Sequence, residues 1–193
     1  GSSAVGKPPT SDSRGQHHAN CHILSEVPQG IHPGGQSVRQ NRGVPGLLRP
    51  RMSGNEASAI GSLRAINSAQ AAYSSNCVPG GYAITLDDLV KPPTGSSQGF
   101  ISPDLSTNGV TKSGYVVTVA KDAASGVQDI SSAAASCNAS AGQPASSFFG
   151  KADPATPGGT GTRYFGTDTR GTLFQKTGST MANPIPSSTA VVQ

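Results

Sequence analysis

Tryptophan is missing from this chain of 193 residues, aromatic residues make up 5% of it and charged residues 12%. With so few aromatics the core is thin. With so few charges, self-repulsion is not what would keep the chain unfolded. No apolar run approaches the ~20 residues that cross a bilayer, and the first residues lack the basic and then apolar pattern of a secretion signal. As written, the chain is expected to carry no address and no anchor. Histidine does not occur after His32, and no GxSxG, GxGxxG or phosphate-loop pattern is present. Those absences exclude the familiar templates for a hydrolase or nucleotide enzyme. What is plentiful is glycine, 25 residues, and proline, 15 residues. That composition makes loops, and it suits turn-rich β structure better than a bundle of long helices.

The net charge of +4 is unevenly placed. Lys7, Arg14, Arg39, Arg42, Arg49 and Arg51 face only Asp12 and Glu26 in the first 51 residues, and the remainder is balanced. A basic tail raises the question of nucleic acid. Here the cations are scattered singly among Gly, Pro, Ser and Gln, with no aromatic between them to stack on bases. No nucleic-acid partner is expected.

Residues 1–43 show no hydrophobic period and read as a disordered or irregular basic tail. From Ser53 the character changes. Ser53-Gly-Asn-Glu56 matches the capping box of a helix start, and Ile60, Leu63, Ile66 and Tyr73 then recur at helical spacing as one apolar packing face. A helix is predicted over about 54–74. Thr85 can cap a single turn through Leu89, stopped by Pro92-Pro93. Gly114–Val119 reads as a strand. Thr162–Thr167 and Thr172–Gln175 read as a hairpin closed by Asp168-Thr-Arg-Gly171. Residues 123–147 are rich in Ala and Ser with little to bury, and 177–193 reads as a loose tail. The expected fold is α+β, one N-terminal helix packed on a small antiparallel sheet with long loops.

Few residues offer chemistry. His17, His18, Cys21 and His22 are zinc-type ligands, but their segment has no scaffold to hold them around a metal, so no metal site is expected. Asp87-Asp88 on a surface turn reads as solvated. Any base for a nucleophile would have to come from the histidine-bearing tail, so no catalysis and no cofactor are expected. Cys77 and Cys137 are either two free buried thiols or a disulfide. Neither neighbourhood reads as buried, which favours the disulfide and with it an oxidising compartment. Such a bridge closes a 60-residue separation and is worth ~3–4 kcal/mol by chain entropy.

The stretch from Val44 to Tyr73, VPGLLRPRMSGNEASAIGSLRAINSAQAAY, resembles the second half of the long N-terminal helix of bacterial type IV pilins and type II secretion pseudopilins. Gly81-Tyr-Ala83 with Leu86 and Leu89, Lys112-Ser-Gly-Tyr115, Asp153–Phe165 and Asp168–Gln175 continue the likeness over about residues 44–176. On that resemblance, residues 44–76 are a pilin-like helix and 77–176 a pilin-like β-domain. Family members carry a short leader, a Gly-Phe-Thr-Leu processing site and about twenty apolar residues ahead of this point. Residues 1–43 do not match them, and Pro50 stands where the family has a small helix former. Read from the second base of each codon, Gln29–Gly35 permits Lys/Arg-Gly-Phe-Thr-Leu-Val, so the tail before residue 44 is expected to be largely out-of-frame translation.

The resemblance implies a structural subunit of a pilus or secretion pseudopilus, a homopolymer built by the assembly machinery and carried to the cell surface from an inner-membrane precursor. Membrane contact would require the missing apolar segment. Some pseudopilins bind calcium in C-terminal loops. Asp153 and Asp168 are conceivable ligands here, but no third carboxylate converges on them. The alternative is an extracellular binding or adhesion module using loops 91–114 and 123–160.

Overall fold

A computed structural model of the chain describes residues 45–130 and 132–193. After a short 3-10 turn at Pro45–Leu47, helix α1 runs from Leu48 to Asn76. It starts ahead of the predicted capping box, so Ser53 lies inside the helix and caps nothing. Pro50 permits the earlier start. It falls in the first turn, where backbone N–H groups have no partner within the helix and a proline therefore costs no hydrogen bond. Glu56, freed from capping, turns toward the sheet.

The single turn after the helix forms as expected. Helix α2 spans Leu86–Val90, and the Thr85 side chain accepts the Asp88 N–H at 3.2 Å. Five strands then form one antiparallel meander in chain order: β1 (Val110–Lys112), β2 (Tyr115–Lys121), β3 (Phe148–Pro154), β4 (Arg163–Asp168) and β5 (Leu173–Thr177). The fold is α+β, one long helix on an antiparallel sheet. That sheet is larger than the sequence suggests, because β1 is too short and β3 too interrupted by Gly150 and Pro154 to stand out by pattern. Gly171, with φ of +70°, closes the β4–β5 turn from a left-handed conformation that suits glycine.

The pleat divides the sheet cleanly. Tyr115, Val117 and Val119 of β2, Ala152 of β3 and Phe165 of β4 point to the helix and are fully buried with Leu63, Ile66 and Tyr73. Ile60 is only partly buried at the margin of this core. The predicted apolar face is thus used up against the chain's own sheet. At Gly150 a Cβ would meet the Thr167 side chain of β4 at 3.1 Å, whereas Leu63 and Ile66 of the helix would stand at an ordinary contact distance of 3.8 Å.

The opposite face carries a second small core, Phe149 and Phe174 packed under Met181 and Ile185. Residues 177–193, read as loose from the sequence, therefore form a strap. It crosses the outer face and then lies along β5, where the Gln175 N–H donates to Ala190 O and the Val192 N–H donates to Leu173 O, both at 2.8 Å. The sheet edge is covered rather than left open to pairing with another chain.

Candidate functional site

Glu56 stands about two turns into α1 with its carboxylate almost fully buried. Its Oε1 accepts the N–H groups of Thr162 at 3.0 Å and Arg163 at 3.3 Å, and the Thr162 hydroxyl at 3.2 Å. Its Oε2 accepts a hydrogen bond from Nε of Arg163 at 2.9 Å and lies 2.8 Å from Nη2 in an ion pair. Burial pushes the carboxyl pKa upward, but the Thr162 N–H and the Arg163 guanidinium outweigh it and hold the group below the ordinary 4.5. The Tyr115 hydroxyl donates to Arg163 O at 2.8 Å. Burial and the nearby Glu56 charge push the pKa of that phenol far up, so it stays a neutral donor. Arg163 in turn donates from Nη1 to Gln175 at 2.8 Å and lies 5.3 Å from the Phe165 ring centre. One ion pair thereby fastens α1, β4 and β5 together.

A second cluster joins the end of α1 to the Ala/Ser-rich segment. Cys77 and Cys137 form a disulfide with an S–S distance of 2.10 Å. Around it the side chains are buried, contrary to the reading of that segment as one with little to bury. Asp88 accepts the N–H groups of Ala141 at 2.6 Å and Gly142 at 3.0 Å, and the Thr85 hydroxyl at 2.8 Å. Asn138 donates to the carbonyls of Asp88 and Lys91 at 2.7 and 3.1 Å. Ser140 meets the Tyr73 hydroxyl at 2.7 Å and donates to Asn138 at 2.8 Å. Every one of these polar atoms has a partner, which is what makes their burial tolerable.

The two adjacent aspartates therefore differ, and only one fits the expectation of a solvated pair. Asp87 is exposed, whereas Asp88 is buried and acts as a backbone clamp. Asp153 and Asp168 do not converge on a common site. Asp153 pairs with Lys151 at 2.7 Å and accepts the Thr180 hydroxyl at 2.8 Å, while Asp168 pairs with Arg170 at 2.5 Å. Among the described residues no three His, Cys, Asp or Glu side chains are grouped to hold a metal ion. His17, His18, Cys21 and His22 lie outside the described residues. Gln70, an alternative to Ala69 on the predicted stripe, is fully buried and bonded to both the N–H and the carbonyl of Ala83 at 2.9 and 2.6 Å, a polar role the sequence reading did not assign. A lone glutamine on an otherwise apolar stripe is the signal that marks it.

Among the described residues, two open surfaces bear on function. Leu47 and Leu48, at the entrance to α1, are 62% and 57% exposed. A pocket of about 750 Å³ opens where the strap leaves β5, with Arg163, Gln175 and Lys176 on one side and Met181, Ser188 and Thr189 on the other. Among the described residues no helix is long and apolar enough to cross a membrane. No family model, curated protein or solved structure matches the chain.

Proposed function

We propose that this chain is a structural subunit of a bacterial type IV pilus or type II secretion pseudopilus, polymerising with identical copies. The reading rests on the order and spacing of the residues that resemble those families over about 44–176. The observation that carries it is the division of α1. From Glu56 to Tyr73 one face of the helix is buried on the sheet, whereas its entrance presents Leu47 and Leu48 to solvent. An isolated exposed leucine needs no explanation. Two adjacent ones at the head of a 29-residue helix supply an exposed apolar contact that lies outside the core of the described residues.

In this reading the packed half of α1 is the handle of the subunit and the entrance makes the contacts between copies. The residues Ile60, Leu63, Ile66 and Tyr73 act within the subunit, not between subunits. The disulfide braces the domain in the oxidising compartment through which such a subunit passes.

The test is a Leu48→Asp variant expressed in the cells that make the protein. Leu48 packs on nothing in the core, so the variant should keep its disulfide and unfolding midpoint. It should disappear from the high-mass fraction sheared off the cell surface. Unchanged recovery in that fraction counts against the proposal. The pocket beside the strap favours a second reading, an extracellular binding module, which that same unchanged result would promote.

A further inference from the structure

We propose that the pocket between β5 and the C-terminal strap is a binding site for a small hydroxylated carboxylate, an acidic sugar of the uronate class. Its volume of about 750 Å³ falls in the range of small-molecule sites, about 300–1,000 Å³, and is far larger than a bare inorganic anion fills. The proposal concerns ligand binding by the single chain and does not depend on assembly into a filament.

The charge in the pocket has one sign. Arg163 and Lys176 line it, and among the described residues no acidic side chain does. Glu56 engages Arg163 through Nε and Nη2, and Gln175 takes Nη1. Two of the five guanidinium N–H donors are hydrogen-bonded among the described residues, from Nε and Nη1, and the side chain remains 38% exposed. The remaining donors belong to Nη1 and Nη2. They are held by Glu56, Gln175 and the Phe165 ring behind them, so little rotamer freedom is lost when a carboxylate arrives. Lys176, exposed and without an ion pair among the described residues, adds a second cation at the rim.

The rest of the wall fits a sugar ring rather than a plain fatty acid. Thr177, Ser188 and Thr189 offer hydroxyls that both donate and accept, and Met181 supplies an apolar patch for a ring face. Charged-group recognition by arginine with a few placed hydroxyls is a standard way to orient a ligand in a mostly apolar pocket.

The experiment is a two-dimensional amide NMR titration of the full chain with D-glucuronate, with D-glucose and inorganic phosphate as separate probes. Glucuronate is expected to give saturable shifts at Arg163, at 175–177 and at 188–190, with a dissociation constant near about 1 mM. Glucose and phosphate are each expected to bind about tenfold more weakly, since each lacks either the charge or the hydroxylated ring. Lys176→Glu keeps the fold, because the side chain is exposed, and is expected to weaken glucuronate about fivefold or more. Thr189→Val is a second variant that leaves the Glu56–Arg163 pair intact and is expected to weaken glucuronate while leaving phosphate unchanged. The inference is overturned by an absence of saturable shifts, by equal binding of glucose or phosphate, or by full affinity in both variants.

Discussion

Glu56 shows how one side chain can be read correctly for its chemistry and wrongly for its place. In the sequence it completes a capping box with Ser53; in the fold it is a buried acceptor for Thr162 and Arg163. Removing its charge leaves a half-exposed guanidinium and two backbone donors poorly served, so Glu56→Gln should cost about 2–3 kcal/mol in urea unfolding. The pH dependence has a definite sign. The folded pKa is held below the unfolded 4.5, so this group's contribution is present above that value and lost as the pH falls through the lower, folded one. Glu56→Gln should therefore flatten the acid side of the stability profile. An equally steep profile in the variant would show that Glu56 is not its source. Nothing local to 53–56 marks the partner, because Thr162 and Arg163 lie more than a hundred positions away.

At the scale of elements, legibility followed periodicity. The α1 stripe, the Thr85-capped turn and the β4–β5 hairpin carry local signals, and all three are present. The misses have a common cause, which is structure specified by distant partners. Strand β3 contains Gly150 and Pro154, and it is held in register by seven pairings with β2. The strap packs through Met181 and Ile185, two isolated apolar residues among Asn, Pro and Ser, too few to establish a helical or a strand period. The Ala/Ser-rich segment is organised by buried polar groups around the disulfide and Asp88, which hydrophobic pattern cannot register. Because that segment has few apolar anchors, the Cys77–Cys137 bond should matter more than its neighbours. Replacing both cysteines with serine should cost about 4 kcal/mol from the lost constraint on a 60-residue separation. Hydrogen exchange should quicken first at 136–142 and hardly at all in β2–β4. Uniform loosening of the sheet would contradict this assignment.

At the scale of the whole molecule, a thin supply of aromatics is concentrated where it counts. Tyr73, Tyr115, Phe148 and Phe165 fill the helix side of the sheet, and Phe149 and Phe174 fill the strap side. Both faces are thus closed over part of their area, the β5 edge is covered, and the entrance of α1 carries the most exposed large hydrophobic residues among the described ones. The candidate site was legible only in fragments. Cys77 and Cys137 stood out as residue types, but the pocket beside Arg163 arises from a strap the sequence does not announce. Assembly of the native subunit with identical copies into a surface filament is the proposed function. Immunogold electron microscopy of the producing cells, with an antibody raised against residues 77–176, tests it most directly. Gold strung along filaments that extend from the surface is the predicted result. Label that is diffuse, or confined to particles of single-chain size in the medium, would contradict it.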